Sequence, residues 1–259
     1  MSLAATWAEV KVYDDLDRAG YDALEADVSA TRLMRLARLG PQGMNEDETY
    51  TPSTMLGTLV HSLVLDELDP ASVVAINCKT VKSKAFEDAL KTYPTSVVAP
   101  RPELQKAVAM ADSVRSHPQW GAISTSRREV AISALHIPTG LRVRARLDLA
   151  ADKWVMDLKT TKDASKDGFR REVLYHWHLY IQMSLYCDLW ALAMGLARVS
   201  PGWVAVQSSG TYPVGVWTLT EAKHLWARGA VELRLKQWAD GQLTGWPRHF
   251  NTRAEYLED

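Results

Sequence analysis

The chain of 259 residues is 47% hydrophobic and 24% charged, a composition typical of a globular protein with a substantial core. Its formal net charge of −1 argues against nucleic-acid binding through overall charge, so any DNA site must concentrate its cations locally. No apolar run is long enough to span a bilayer, and no basic segment followed by an apolar one marks a secretory signal. We therefore expect a cytoplasmic protein with no membrane partner.

Two common kinds of cofactor site have no signature in the sequence. Cys78 and Cys187 do not form a Cys-x-x-Cys pair, which argues against structural zinc and against an iron–sulfur cluster. A Gly-x-x-x-x-Gly-Lys-Ser/Thr phosphate loop is absent as well, so nothing indicates ATP as a substrate.

The first half of the chain is predicted to be mainly helical. Residues 1–27 are acidic and amphipathic and could contain a short helix. Ser29 or Thr31 is a natural N-cap for a helix that runs to about Leu39, where Gly40-Pro41 ends it. The next predicted segments are a loop over residues 41–52 and helices over 53–68, 82–93 and 102–116.

The second half is predicted to supply a sheet and the helices that flank it. A strand from Glu129 to Ile137 precedes a β-hairpin over residues 141–159. The elements predicted after the hairpin are helices over 165–174 and 175–196, strands over 203–208 and 214–219, and a helix that begins at Thr220 and ends at Gly241. This order predicts a mixed α/β fold with a central mixed sheet flanked by helices.

The hairpin is the most informative segment of the sequence. Odd positions from Leu141 to Leu149 are apolar and predicted to face the core, and the even positions are polar: Arg142, Arg144, Arg146 and Asp148. In the second strand, Asp157 and Lys159 share a face. A turn centred on residues 152–153 would place Asp148 directly opposite Asp157, with Cβ atoms about 5 Å apart. Carboxylates that close repel unless a cation lies between them, and oxygen ligands favour Mg²⁺ or Mn²⁺. An ordinary exposed face, with Asp148 paired to an arginine, is the alternative.

Three further polar features bear on this site. His61 follows Gly57 by one helical turn in an apolar helix, where it is either a ligand or a core histidine, and Gly57 suggests close approach of another backbone. His178, Gln182 and Tyr186 are predicted to share one face of the long helix, as partners of the site or as ordinary half-buried residues. Glu129 is either another carboxylate near the metal or a surface residue.

These segments, in this order, resemble the PD-(D/E)XK nuclease superfamily, and more closely the exodeoxyribonuclease VIII-like (RecE-type) phage exonucleases related to lambda exonuclease. The similarity runs from about residue 28 to residue 195. Its segments are VSATRL at 28–33, LGTLVH at 56–61, Glu129, RARLDL at 144–149, VMDLKTTKDAS at 155–165 and QMSLY at 182–186. One departure is that Asp157 stands where many relatives carry Glu, and Asp also satisfies the motif.

The resemblance implies a role for each matching residue. The implied metal ligands are Asp148, Asp157, the carbonyl of Leu158, and His61, with Glu129 as a supporting acid. Lys159 would position or activate the attacking water, and Gln182 and Tyr186 would orient Lys159 and the DNA. Ser29 and Thr31 lie in the segment that holds a 5′-phosphate in the lambda-type enzyme. The arginines expected to contact DNA are Arg144 and Arg146.

The same resemblance implies a 5′→3′ exonuclease that uses one or two Mg²⁺ or Mn²⁺ ions to degrade double-stranded DNA. It further implies a ring-like homo-oligomer, a single-strand annealing protein as partner, and a phage or prophage origin in a bacterial host. The alternatives are an endonuclease or single-strand repair nuclease of the same superfamily, and a DNA-binding module without catalysis. We expect one nuclease domain over residues 1–259, divided into an extension at 1–27, a mainly helical part at 28–120, and the catalytic sheet and its helices at 121–245.

Overall fold

The computed structural model describes residues 3–46, 52–65, 68–94 and 96–247. The strands are β1 (Trp7–Tyr13), β2 (Val28–Ser29), β3 (Val74–Ile76), β4 (Val98–Pro100), β5 (Arg127–His136), β6 (Leu141–Ala150), β7 (Trp154–Thr161), β8 (Ser200–Gln207) and β9 (Val214–Thr218). The helices are α1 (Leu3–Thr6), α2 (Arg18–Ala23), α3 (Ala30–Leu39), α4 (Pro52–Val64), α5 (Lys84–Thr92), α6 (Arg101–Arg115), α7 (Trp120–Ile123), α8 (Lys166–Arg171), α9 (Leu179–Ala193) and α10 (Glu221–Thr244). Two 3₁₀ turns, Gln42–Asn45 and Pro70–Ser72, and a π-helical turn, Glu172–His176, complete the described elements.

Seven of the described strands form one mixed sheet, in the order β1-β5-β6-β7-β8-β9 with β2 beside β6. The β7–β8 and β2–β6 pairs are parallel and the others are antiparallel. Strands β3 and β4 form a separate parallel pair. The predicted fold class, a central mixed sheet flanked by helices, is confirmed.

Each face of the large sheet carries its own hydrophobic core. Helices α3 and α9 cover one face, with α10 packed on both of them, and α4 and α6 cover the other. Buried members of the first core include Leu33, Leu147, Ile181, Met183 and Trp190. Buried members of the second include Leu59, Leu63, Met110, Val204 and Val206. Because burying a side chain of this size contributes about 1.5–3 kcal/mol, the two cores hold the strands between them in fixed positions.

The hairpin of β6 and β7 opens into a fork. The two strands pair at Leu149↔Met156 and Ala150↔Val155, next to the turn. Beyond those positions β7 pairs with β8 up to Thr161↔Gln207, while β6 takes β2 as its neighbour at Val28↔Val143. The two strands are thus held by different partners, and the space between them lies beside Asp148 and Asp157.

The alternation predicted for residues 141–149 holds as far as Leu147. Leu149 is an exception, because it belongs to the second core whereas Leu147 belongs to the first. The change of face occurs at Asp148, and opposite it in the β5–β6 register Glu129 has a positive φ of 51°. Backbone conformations of this kind cost about 1–3 kcal/mol in residues other than glycine and cluster at functional sites.

The short helix predicted in residues 1–27 is present, as α1 and α2, but a strand in the same segment was missed. Residues 1–27 contain a strand, β1, which pairs with β5 from Trp7↔His136 to Tyr13↔Ala131. Its partner lies more than a hundred residues further along the sequence, so a local pattern could not reveal the pairing. The short strands β2, β3 and β4 were also missed.

The long helix predicted over 175–196 was wrong at its start. The π-helical turn Glu172–His176 precedes it, His178 has a left-handed φ of 54°, and α9 begins only at Leu179. His178 therefore does not share a helix face with Gln182, and its Nδ1 lies 3.2 Å from the hydroxyl of Tyr180 instead.

Most predicted helix boundaries agree with the structure. Ser29 caps α3 by accepting a hydrogen bond from the Arg32 N–H, and Gly40 follows its last residue with a φ of 69°. Thr220 caps α10 as predicted, but the helix continues through Gly241. A Cβ at Gly241 would lie 2.4 Å from the ring of Trp246, so this glycine permits close packing and does not end the helix.

The remaining differences in helix extent concern α4. It was predicted to run to residue 68 and ends at Val64. Residues 66–67, and residues 47–51 of the predicted loop, lie outside the described residues. Among the described segments, every helix is too short or too polar to cross a lipid bilayer. The division into one domain with three parts stays a prediction.

Candidate metal centre

A cleft of about 700 Å³ lies at the fork between β6 and β7, bordered by α2, α3, α4 and α9. We call it the first cleft. His178 does not line it, whereas every residue to which the family resemblance gave a role does: Ser29, Thr31, His61, Glu129, Arg144, Arg146, Asp148, Asp157, Leu158, Lys159, Gln182 and Tyr186. Residues from positions 29 to 186 thus meet in one place, although their individual roles stay predictions.

His61 joins two of the carboxylates. Its Nε2 lies 2.8 Å from Asp148 Oδ2, and its Nδ1 lies 3.3 Å from Glu129 Oε1. Burial favours the neutral imidazole, but the neighbouring carboxylates, Asp148 above all, raise the pKa of His61 to about 9. The imidazolium therefore supplies positive charge between the two acids.

Asp148 and Asp157 are both buried, and their pKa values move in opposite directions. Burial raises the pKa of Asp148, but His61 and Lys159 outweigh it and hold that pKa below its usual value. Burial, with the negative charge of Asp148, raises the pKa of Asp157 to about 6. Two carboxylates that share a buried site resist being charged together unless a cation compensates them.

Lys159 supplies part of that compensation. Its Nζ lies 2.5 Å from Asp157 Oδ2. Burial lowers the pKa of Lys159, but the charges of Asp157 and Asp148 outweigh it and raise this pKa above its usual value. The ammonium therefore stays charged at neutral pH and faces the first cleft from β7.

Backbone and arginine contacts orient the acids. The Leu158 N–H donates to Asp148 Oδ2 at 2.8 Å, across the fork between the strands. Arg146 Nε lies 2.6 Å from Glu129 Oε2, so the supporting acid is held between an arginine and His61. Where β6 and β7 no longer pair, this N–H of β7 donates to the side chain of Asp148 and not to the backbone of β6.

The donor set fits a small divalent cation. One ligand atom each from His61, Glu129 and Asp148 lies within 4.8 Å of the others. Carboxylate oxygens suit Mg²⁺ and Mn²⁺, and an imidazole nitrogen suits later transition metals such as Fe²⁺ and Zn²⁺. Glu129 therefore lies close to two other candidate ligands, and ligation by these three residues, by Asp157 and by the Leu158 carbonyl stays a prediction.

Gln182 and Tyr186 form a buried pair on α9. Gln182 Nε2 donates to the Tyr186 hydroxyl at 3.0 Å, and Gln182 Oε1 accepts no hydrogen bond from the described residues. Burial raises the pKa of Tyr186 well above its usual value, so the phenol is neutral and its own proton can be donated. The pair offers one acceptor and one donor to a ligand, and its contact with Lys159 or DNA stays a prediction.

The predicted DNA-binding residues have structural partners as well. Arg144 donates to the backbone carbonyls of Tyr21 at 2.8 Å and Asp22 at 2.6 Å, at the end of α2. Ser29 caps α3, and Thr31 is exposed in the first cleft. Phosphate binding by these residues stays a prediction.

The sequence did not point to the contribution of α2. Arg18 and Tyr21 line the first cleft, and the guanidinium of Arg144 lies 5.0 Å from the Tyr21 ring centroid. Gly57 was expected to lie close to another backbone. Its neighbour is a side chain instead, because a Cβ at Gly57 would lie 3.2 Å from Thr160 Oγ1. The glycine lets α4 approach β7 closely enough to bring His61 to the acids.

Comparison with known proteins agrees with this geometry. No curated protein matches the sequence. The crystal structure of a "Putative exonuclease" from Eubacterium rectale is similar, with a TM-score of 0.59 and 12% sequence identity over 89% of this chain and 90% of that chain. At this identity the likeness shows the fold. Residues 35–240 match a family described as "PDDEXK-like domain of unknown function (DUF3799)". Because that match spans most of the sequence, the chain belongs to this PDDEXK-like family.

Proposed function

We propose that the protein is a metal-dependent deoxyribonuclease that hydrolyses phosphodiester bonds. The observation that carries this proposal is the cluster of His61, Glu129 and Asp148 beside the Asp157–Lys159 pair, all lining the first cleft. A PDDEXK-like family and a structural relative described as an exonuclease support the same conclusion.

Each chain residue has a defined task in this proposal. Asp148, Glu129 and His61, with Asp157, would hold one or two Mg²⁺ or Mn²⁺ ions. A metal ion there would supply Lewis acidity to water and to the phosphate. The Lys159 ammonium would donate to a phosphate oxygen and stabilise the charge that develops during attack. Gln182 and Tyr186 would fix the DNA strand through their free acceptor and donor.

The finer proposal is a 5′→3′ exonuclease acting on double-stranded DNA and leaving 5′-phosphate products. Family resemblance is its support, together with the relative described as an exonuclease. We extend it to a ring-like oligomer that works with a single-strand annealing protein in phage-type recombination, inside a bacterial host cell. These parts rest on the resemblance alone.

Digestion of matched DNA substrates tests the proposal. Linear duplex with 5′-phosphates and closed circular duplex are incubated with and without Mg²⁺. We expect loss of the linear substrate alone, only with metal, and no loss with Asp157→Ala. Asp167→Ala is the matched control, because the Asp167 side chain is 81% exposed on the first turn of α8.

Other outcomes select the alternatives. Cutting of the circle would indicate an endonuclease, and digestion of single strands alone a repair-type nuclease. DNA binding without digestion of either substrate would leave the non-catalytic module. End-labelling the linear duplex at one 5′ or one 3′ end separately determines the polarity.

A further inference from the structure

A second cleft of about 670 Å³ adjoins the first. The two clefts share five lining residues, which are Thr31, Ser53, Thr54, Lys159 and Thr160. The second cleft therefore begins at the side chain proposed to contact the scissile phosphate. A strand that passes Lys159 has this cleft directly in front of it.

The second cleft carries an aromatic and cationic pair that the proposed chemistry does not use. The guanidinium of Arg38, on α3, lies 4.6 Å from the ring centroid of Trp177. Trp177 is 47% exposed, so part of its indole surface is accessible to a ligand. Phe169 lines the same cleft but is buried. An exposed indole with a guanidinium on its ring is a surface on which an unpaired base can stack.

The backbone around Trp177 is unusual on both sides. The π-helical turn Glu172–His176 precedes it, and His178 follows with a φ of 54°. Both are conformations that proteins adopt rarely and use often at functional sites. A regular helix through this segment, as the sequence predicted, would not break at Trp177. The strain places an exposed indole at the mouth of a cleft.

We propose that the second cleft binds single-stranded DNA, as the continuation of the strand held at Lys159, with an unpaired base stacked on Trp177 and Arg38. This inference rests on the proposed function and names the form of DNA that the site takes: a strand already separated from its complement. Duplex DNA keeps its base faces inside the helix, so an aromatic platform selects unpaired bases.

The charges around the cleft indicate which interaction dominates. Its lining contains three cationic side chains, Arg35, Arg38 and Lys159, and two acids, Glu46 and Glu172. Arg35 also donates to the Gly43 carbonyl at 3.3 Å. Because the acids offset much of the positive charge, stacking is expected to contribute more than phosphate contacts. The single-strand affinity that Trp177 adds should therefore depend weakly on salt, unlike binding through many phosphate contacts.

Fluorescence anisotropy with a labelled oligothymidine, in EDTA to prevent cleavage, tests the inference on the full chain. We expect Trp177→Ala to weaken binding about tenfold, the effect of losing one base–aromatic stack, and Trp177→Phe to retain most of the affinity. The affinity for blunt duplex DNA of the same length should change less than twofold in Trp177→Ala. Trp226→Ala is the matched control, because Trp226 is 49% exposed and has Lys223 Nζ 4.8 Å from its ring, outside both clefts.

Several results would overturn the inference. These are undetectable oligothymidine binding by the wild type, equal losses for Trp177→Ala and Trp226→Ala, equal losses for single strand and duplex, or a Phe variant as weak as the Ala variant. A changed oligomeric state of Trp177→Ala in sedimentation, with unchanged oligonucleotide affinity, would assign this surface to a protein contact instead.

The two proposals fail in different ways. Digestion without metal, or digestion that persists in Asp157→Ala, contradicts the proposed nuclease, regardless of the result of the oligonucleotide-binding experiment. Metal-dependent digestion that needs Lys159, together with wild-type oligonucleotide affinity in Trp177→Ala, contradicts only the single-strand cleft. A crosslink from 5-iododeoxyuridine in the oligonucleotide to Trp177, located by mass spectrometry, is the expected positive result.

Discussion

In the described part of the chain, His61 with Asp148 and His224 with Asp188 form two aspartate–histidine groups, and they differ in what balances the buried carboxylate. Asp188, on α9, receives three contacts of 2.6–2.9 Å from the guanidinium of Arg228, with His224 Nε2 at 3.5 Å. Asp148 depends on His61 and Lys159, and two more acids lie beside it. A guanidinium is a permanent cation, whereas the charge of an imidazolium leaves with its proton. The Asp188 carboxylate is therefore balanced permanently by Arg228. In the Asp148 group, we expect His61 to lose its proton when the proposed metal ion binds.

The largest expected effect is on the rate of DNA digestion, and it concerns Lys159 in the Asp148 group. Lys159→Ala should lower the rate of metal-dependent DNA digestion on the order of 10³-fold, because it removes the donor proposed to stabilise phosphate charge. Lys162→Ala, an exposed lysine just after β7, should digest at nearly the wild-type rate. Initial rates on linear duplex measure both. Similar rates for the two variants would mean that Lys159 does not touch the reacting phosphate.

The free energy of unfolding should depend more on the Asp188 group than on an exposed ion pair. Arg228→Ala leaves the buried carboxylate of Asp188 without its cation and should lower the free energy of unfolding by about 3 kcal/mol. Arg198→Ala removes an exposed pair with Glu221 and should cost less than about 1 kcal/mol. Urea denaturation followed by circular dichroism compares them. Equal losses would show that the Asp188 group is no more dependent on its arginine than a surface pair.

Metal binding should stabilise the folded protein through the Asp148 group and not through the Asp188 group. At about a hundred times its dissociation constant, Mn²⁺ or Mg²⁺ should raise the free energy of unfolding of the wild type by about 2.7 kcal/mol. Asp148→Asn should abolish this increase, and Asp188→Asn should keep it even if the protein starts less stable. Thermal melts across a metal titration give the result. Retained stabilisation in Asp148→Asn would place the ion elsewhere.

The smallest expected effect is the pH dependence of stability in metal-free protein, where His61 and His136 should act in opposite directions. The pKa of His61 is raised to about 9, so its contribution to stability is complete below the unfolded value near pH 6.5 and is lost as the pH rises through 9. Burial outweighs Glu232 and lowers the pKa of His136, so its contribution is present above pH 6.5 and is lost as the pH falls. NMR titration of the imidazole signals, assigned with His61→Gln and His136→Gln, should show these opposite shifts.

The sequence was sufficient for the features that depend on local spacing. Alternation over residues 141–149 predicted β6, and the spacing of Asp157 nine positions after Asp148 predicted a hairpin that brings the two acids near each other. The caps at Ser29 and Thr220 predicted where α3 and α10 begin. Each of these signals lies within a few residues of what it determines.

Features that depend on distant partners could not be predicted. The fork opens because β6 pairs with β2 and β7 pairs with β8, and neither pairing is visible in the hairpin itself. The left-handed backbone at Glu129 and the π-helical turn before Trp177 likewise have no local signature in composition or spacing. The sequence therefore identified which residues meet but not the backbone distortions that orient them.

The fork also has a consequence for how the protein is made. Since β7 pairs with β8, which begins at Ser200, and with β6 only near the turn, Asp157 is fixed only after that later strand has been synthesised. Asp148 likewise needs His61 from α4 and the Leu158 N–H. A nascent chain still on the ribosome, with β8 inside the exit tunnel, has both acids but no assembled site. If the centre degrades DNA as proposed, late assembly would keep it inert through most of its own translation.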